Sequence, residues 1–423
     1  MRNWAGNLEY RARRVHQPST TEELRELVRR TPRIRALGSR HSFSDVADTA
    51  HELVSLAGLP RLVDVDAATS TVTTDGAMRY GDLCRPLDEA GVALHNMASL
   101  PHISVAGACA TATHGSGDRS GNLATAVSAV ELIRADGESV TLARSRDEDF
   151  AGAVVGLGAL GVVTRLTLVV EPSYFVRQDV YENLPVERFG DRFDELSAAG
   201  DSVSFFTEWR GRTIDQVWVK RRVRPGADTA VPAELFGAKR AIVDRHPIRS
   251  LSAEACTEQR GIPGPWHARL PHFRMDHTPS SGEELQSEYF VARRDAPAAF
   301  DALLSLGDRI APLVQVSEIR TIAADDLWLS PAYGRPSVAF HFTWRPDWPG
   351  VRAMLPAIEL ALEPFEPRPH WGKLSVMPGD ELRRRYERLP DFLALAARLD
   401  PGRKFRNEYV DRLVFGEPTA ESR

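Results

Sequence analysis

The sequence predicts an α+β protein in two parts, and three features of its 423 residues lead there. The length exceeds what one hydrophobic core usually supports. Up to about residue 170, short strands alternate with helices and small residues are dense; beyond Glu171-Pro172, long alternating strands take over. An antiparallel sheet with helices on one side fits that second texture.

The elements follow in order. Ser19-Thr20-Thr21-Glu22 reads as a capping box, with Leu24, Leu27 and Val28 behind it at helical spacing. Arg33 to Leu37 reads as a short strand running into Gly38-Ser39-Arg40-His41. Leu62 to Val65 and Ser70 to Thr74 form one expected hairpin; Glu131 to Ala135 and Ser139 to Ala143, joined at Asp136-Gly137, form another. Gly161 to Val170 is a long β-rich run, and Glu171-Pro172 closes it as a boundary. In the second part, Ser337 to Trp344 alternates as a strand. Helices are expected over Ala298 to Leu306, Val351 to Leu362 and Glu381 to Leu389, the last interrupted by Pro390. No internal repeat or low-complexity segment stands out.

Composition excludes several classes of function. With 43% hydrophobic and 26% charged residues, the chain reads as an ordinary soluble globular protein. A net charge of -5 favours neither nucleic acid nor an anionic membrane as partner. The basic runs Lys220-Arg221-Arg222 and Arg383-Arg384-Arg385 are expected to be solvated faces. Cys84, Cys109 and Cys256 lie far apart without metal-ligand spacing, as reduced cytoplasmic thiols would. The amino-terminal residues carry no apolar signal-like core, and no stretch is long enough to span a bilayer. A cytoplasmic monomer is expected.

Chemistry is most densely signalled between Leu94 and Gly117. Ala98, Ser99, Ser104, Ala106, Gly107, Ala108, Ala110, Ala112, Gly115 and Gly117 crowd that run. Such residues let backbone N–H groups approach a ligand, commonly a diphosphate. The run is neither a dinucleotide fingerprint nor a P-loop, and composition alone does not separate a ligand nest from a tightly packed turn. His41 and His114 likewise read either as functional imidazoles or as turn-stabilising side chains. In Val314 to Ile322, alternation sets Val316, Glu318, Arg320 and Ile322 on one face. In the following strand, Val338, Phe340, Phe342 and Trp344 face one way, with Ala339, His341 and Thr343 opposite; Lys373 follows His370-Trp371-Gly372. Polar groups so arranged could hold a hydroxylated ligand or merely face solvent, and spacing leaves both open.

A resemblance joins these pieces. Asn3-Trp4-Ala5-Gly6-Asn7, Leu37-Gly38-Ser39-Arg40-His41-Ser42-Phe43 and Thr113-His114-Gly115-Ser116-Gly117 resemble the vanillyl-alcohol-oxidase-type flavoproteins. The likeness is greatest to their aldonolactone and alditol (xylitol) oxidase branch. It continues through Gly264-Pro265-Trp266-His267, Leu270-Pro271-His272-Phe273, Glu284 to Tyr289, Ser317-Glu318-Ile319-Arg320-Thr321 and Pro369-His370-Trp371-Gly372-Lys373. It ends near Leu399-Asp400-Pro401 and Lys404-Phe405, and so covers almost the whole chain.

The resemblance implies an FAD-binding domain of the vanillyl-alcohol-oxidase (PCMH-like) type over residues 1–172, completed by 395–423. An α+β substrate (cap) domain would span 173–394. It implies FAD attached covalently to His41 through the flavin 8α-methyl carbon. Ala36, Leu37, Gly38, Ser39, Arg40, Ser42, Ser99, Ser104, Gly107, Thr111, Ala112, Thr113, His114 and Val163 would wrap the cofactor, reached also by Thr343 and Lys373. Ser99, Glu318, Arg320, His341, Thr343 and Lys373 match positions that line the polyol site. The implied reaction converts the terminal alcohol of a polyol to the aldose while O₂ becomes hydrogen peroxide. His341 is the expected base and Lys373 the second candidate, because an imidazole near its ordinary pKa suits proton transfer at neutral pH. Ala98 would lie over the flavin's reactive edge and set O₂ access. An aldonolactone oxidase or dehydrogenase is the alternative within enzymes, and a non-catalytic flavin- or sugar-binding protein the alternative outside them. Arg40 stands where many relatives carry glycine. Arginine does not take a positive φ cheaply, so this turn is expected to differ or to tolerate a Cβ.

Overall fold

The computed structural model describes residues 1–223, 231–277 and 284–417. Ile34–Leu37 and Arg14–His16 both pair in parallel with Glu52–Ser55. The helix Thr21–Arg30 buries Leu24, Leu27 and Val28, as the spacing predicts. Its cap lies one residue later than expected. The Thr20 hydroxyl accepts the N–H of Glu23 at 3.1 Å, and the Glu23 carboxylate accepts that of Ser19 at 2.8 Å. The side chain three residues beyond the capping residue is therefore Glu23 rather than Glu22.

A second sheet carries Val63–Asp66, Thr71–Asp75, Val162–Val169, Val127–Ile133 and Ser139–Ala143 in that spatial order, all antiparallel. Both predicted hairpins form within it, with Gly137 at φ +82° where Asp136-Gly137 turns. Glu171–Pro172 pairs with Val92–Ala93 before the chain leaves this region.

The largest sheet is antiparallel. Its main strands run in the order Phe175–Pro185, Thr213–Arg222, Ser202–Thr207, Val314–Ile322, Ser337–Trp344, Leu285–Ala292. Val338, Phe340, Phe342 and Trp344 join Phe189, Phe193, Phe300, Leu355 and Ile358 from the covering helices Val186–Ser197, Ala296–Leu304 and Trp348–Leu362. The opposite face turns toward the first half of the molecule: Ser99 and His114 reach Arg320, and Gly117 N donates to Thr321 O. Both faces are thus covered, and every residue of Ser337–Trp344 is buried.

That double covering corrects one expectation. Lys220 is not solvated; it is 1% exposed, because strand parity sets it with Trp218 on the inward face. Arg384, in contrast, is exposed on the helix Gly379–Arg384. Pro390 does not interrupt a helix either. It lies in the first turn of a separate one, Leu389–Leu399, where a missing N–H removes no helical bond.

The carboxyl-terminal segment returns to the first strands. Ile34 N donates to Lys404 O at 3.0 Å, Arg35 donates to Phe405 O, and the Asn407 amide donates to the carbonyls of Asp45, Val46 and Asp48. Residues 418–423 of this segment lie outside the described ones. Among the described residues no helix is long and apolar enough to cross a membrane. Cys84, Cys109 and Cys256 are buried and unpaired.

Candidate active site

One long cavity begins beside the turn that ends the strand Ile34–Leu37 and finishes against the inward face of the large sheet. Its first part is a close junction. Ser39 Oγ accepts the N–H of Ser104 at 2.9 Å, and Ser39 N lies 3.3 Å from Ser104 Oγ as donor. A Cβ on Gly38 or Gly107 would fall 2.6 or 2.7 Å from Ser104 Oγ and would turn that hydroxyl away from Ser39 N. Arg40 sits in this turn at φ +65°. The left-handed conformation persists without glycine, with the Arg40 carbonyl accepting Trp4 N–H at 2.8 Å.

His41 follows, in the cavity wall, with Trp4 stacked on its ring at 5.4 Å. Its Nδ1 is buried and has no partner. Burial, with His102, Arg79 and Arg40 nearby, outweighs a hydrogen bond to the Ser39 backbone and draws the imidazole down to about 4, so it is neutral at physiological pH. An unpartnered neutral ring nitrogen beside a small-residue cradle is a set of residues that fits a flavin.

Of the residues expected along this cofactor, all but one line the cavity: Ala36 to Ser42, Ser99, Ser104, Gly107, Thr111, Thr113, His114, Val163, Thr343 and Lys373. Ala112 does not. It packs in the apolar core at φ +54°, shaping the turn from behind. Ala98 lines the cavity beside Ser99.

At the far end the sheet register sets His341 directly between Glu318 and Glu288 on neighbouring strands. Lys373 Nζ lies 2.6 Å from His341 Nδ1 and 2.8 Å from Glu288 Oε2. His341 Nε2 is 3.1 Å from Thr343 Oγ1. Arg320 donates to Glu288 Oε1 at 2.9 Å and to Ser99 Oγ at 3.3 Å, and its Nε is 3.5 Å from Glu318 Oε2. The six residues expected around a polyol therefore converge on one chamber.

Burial and then Lys373 draw His341 down to about 4, which corrects the expectation of an ordinary histidine pKa. Burial also lowers the Lys373 ammonium, opposed by Glu288. For Glu288 and Glu318 burial acts upward but is outweighed. Lys373, His114 and Arg320 hold Glu288 well below the carboxylate range, and Arg320 with His272 does the same for Glu318.

Among the polar residues at or behind this chamber that were not named as site residues from the sequence, three matter most. Glu288 is fully buried at its centre, with His114 Nε2 3.2 Å from its Oε1. Its signal was available: Gln286 and Glu288 share one face of a strand whose other face is Leu285, Tyr289 and Val291. His272 and Lys220 form a second rank behind Glu318; His272 lies in the Leu270-Pro271-His272-Phe273 run that carries the resemblance, whereas Lys220 lies in a run that reads as solvated.

Comparison with known proteins agrees with this geometry. Residues 12–143 match a family model described as FAD binding domain, and 282–413 one described as D-arabinono-1,4-lactone oxidase. An alditol oxidase from Streptomyces sp. is 48% identical over 98% of this chain and 99% of its own length. An L-gulono-1,4-lactone dehydrogenase from Mycobacterium tuberculosis is 29% identical over 97% of this chain and 98% of its own. Among solved structures, a cholesterol oxidase from B. sterolicum superimposes with a TM-score of 0.78 over 98% of this chain and 96% of that one. At 16% identity this likeness speaks for the fold alone.

Proposed function

This chain belongs to the alditol oxidase and aldonolactone oxidase family of FAD-dependent oxidases, and we propose that it converts the terminal primary alcohol of an alditol such as xylitol or sorbitol to the aldose. The observation that carries this reading is the meeting of two features in one cavity. His41, with an unpartnered nitrogen, lines one stretch, and the hydroxyl-binding set Ser99, Glu318, Arg320, His341, Thr343 and Lys373 lines the other. In this reading His41 carries the FAD covalently, residues 1–172 with 395–423 hold the cofactor, and 173–394 hold the polyol. The unpaired thiols accord with a reducing compartment, and we read the enzyme as a cytoplasmic monomer.

When bound, the flavin supplies acceptance of a hydride from the carbinol carbon and return of two electrons to O₂ as hydrogen peroxide. The protein's part is position and charge. Glu318 offers carboxylate acceptors and Arg320 a fork of donors, a pairing matched to vicinal hydroxyls. Arg320 and Lys373, each paired with Glu288, stabilise the negative charge that develops on the substrate oxygen as its proton departs. His341 with Lys373 accepts that proton, and the two titrate as a unit because only 2.6 Å separates their nitrogens. Ser99 and Thr343 offer further hydroxyls for hydrogen bonds to the substrate.

The test is a substrate panel on purified holoenzyme. Hydrogen peroxide released with xylitol and sorbitol, and little with L-gulono-1,4-lactone, is the expected result. Turnover of the lactone with silence on alditols would move the enzyme to the lactone-oxidising side of its family. Yellow colour that survives acid precipitation is the expected sign of covalent attachment.

A further inference from the structure

Behind Glu318 lies a buried chain of polar groups that the reaction as described leaves unused. His272 Nε2 is 2.7 Å from Glu318 Oε1. Lys220 Nζ is 3.0 Å from His272 Nδ1, and it also reaches the carbonyls of Leu270 and Pro271. Lys220 and His272 are 1% and 5% exposed.

Hydrogen-bond chemistry orders this chain in one direction. A carboxylate only accepts, so His272 Nε2 carries a hydrogen and donates it to Glu318. The neutral ring then has a lone pair on Nδ1, which accepts from Lys220. Burial draws Lys220 down to about 7, opposed by Glu318; in its ammonium form it has three N–H groups for three acceptors here, Leu270 O, Pro271 O and His272 Nδ1. Phe206, Trp218 and Phe273 surround the imidazole edge-on and offer it no other polar partner. Burial and the neighbouring Lys220 keep the ring neutral, drawing it down to about 4.

We propose that His272, its tautomer and orientation fixed by Lys220, is a positioning residue that aims the Glu318 carboxylate at a substrate hydroxyl. One Glu318 oxygen is taken by His272 and the other stands near Arg320, so the carboxylate cannot rotate without losing a charge-assisted bond. The same segment sets the opposite wall of the chamber, since Ser99 O accepts the N–H groups of His272 and Phe273 at 3.1 and 3.2 Å. Lys220 thus orders both the acceptor for the polyol and the loop that faces it.

The inference rests on the reading of Glu318 as a polyol-binding group, and a double-mutant cycle separates the two. Steady-state kinetics on xylitol would be measured for Lys220→Met and His272→Asn, each alone and combined with Glu318→Ala. Each single variant is expected to lower kcat/KM for xylitol by about tenfold, mostly through KM, and less than about twofold once Glu318 is absent. His272→Asn keeps the chamber polar and carries the same test should Lys220→Met lose its flavin. Wild-type kinetics in both variants, or an equal loss with and without Glu318, would overturn the relay and leave Lys220 a packing element. An unchanged kcat/KM in Glu318→Ala alone would instead remove Glu318 from substrate binding, and the relay with it.

Discussion

Lys373 Nζ stands 2.6 Å from His341 Nδ1, near enough that neither group titrates independently of the other. With His341 drawn to about 4, the imidazole is neutral and able to accept a proton at every pH above that value. The acidic limb of kcat/KM for xylitol is therefore expected near pH 4, well below the ordinary histidine value of about 6.5. Lys373→Met removes a cation that lowers the His341 pKa, so the limb should move upward in pH, whatever happens to the plateau. A limb near or above neutrality in the wild-type enzyme, abolished in Lys373→Met, would assign proton acceptance to the lysine.

His41→Ala should leave a folded protein whose flavin is released on denaturation. The ring is only partly buried in the cavity wall and stacks on Trp4 alone, so little packing is lost. Flavin fluorescence on the denatured band in a gel reads the outcome. His114 is no ready substitute, because its ring is buried between Glu288 and Phe290. Fluorescence persisting in the variant would place the attachment elsewhere.

Glu318→Ala deprives the substrate of an acceptor and leaves the His272 Nε2–H without its partner. A loss of about 1–3 kcal/mol corresponds to a fall in kcat/KM for xylitol of roughly 5- to 150-fold. A diol such as 1,2-propanediol, with fewer hydroxyls to hold, should lose less. Equal losses on both alcohols would mean that the carboxylate acts on the reacting carbon rather than along the polyol.

The parts of this site that were legible in the sequence are those governed by strand parity. The alternation in Ser337–Trp344 separates the apolar face from His341 and Thr343, and that in Val314–Ile322 pairs Glu318 with Arg320. Parity needs only neighbouring residues. Lys220 was misjudged because its surroundings in sequence, Arg221 and Arg222, resemble a solvated run. Its burial depends on strands and turns some 50 to 100 residues away, Leu270 to His272 and Val314–Ile322. Glu288 was passed over for a related reason: a carboxylate is stable in a sheet core only when cations and hydrogen-bond donors converge on it, and these come from Arg320 and Lys373 as cations and from the His114 imidazole, on three other segments. The conformation of the Arg40 turn was likewise not readable, since Gly38 and Ser39 are held by Ser104, a residue far along the chain.

Arg40 invites a stability measurement. A non-glycine residue at φ +65° carries a penalty of about 1 kcal/mol, and this exposed side chain makes only a long 3.5 Å contact with Arg2 O. Arg40→Gly should raise the denaturation midpoint modestly without altering flavin attachment. A lowered midpoint would show that the guanidinium has a stabilising role which its contacts do not reveal.

Ala98 is the residue on which side-chain size and oxygen chemistry can be separated. It is 6% exposed, lines the cavity, and precedes Ser99. The loop cannot withdraw to admit a larger side chain, because Ser99 O is held by the N–H groups of both His272 and Phe273. The two extra methyl groups of Ala98→Val must therefore project into the cavity or strain a closely packed wall. Apart from Ser99, the residues proposed to hold the polyol come from the large sheet and Lys373, so its approach is expected to suffer less than that of O₂. Stopped-flow spectroscopy resolves the two half-reactions: anaerobic bleaching of the flavin by xylitol, and recovery of its colour on mixing with O₂. Ala98→Val should slow the recovery more than the bleaching, and Ala98→Gly should speed the recovery. Equal slowing of both would make the residue a general packing element of the flavin site. No change in either would mean that Ala98 lies away from the reacting edge of the flavin, and would weaken the assignment of Ser99 beside it.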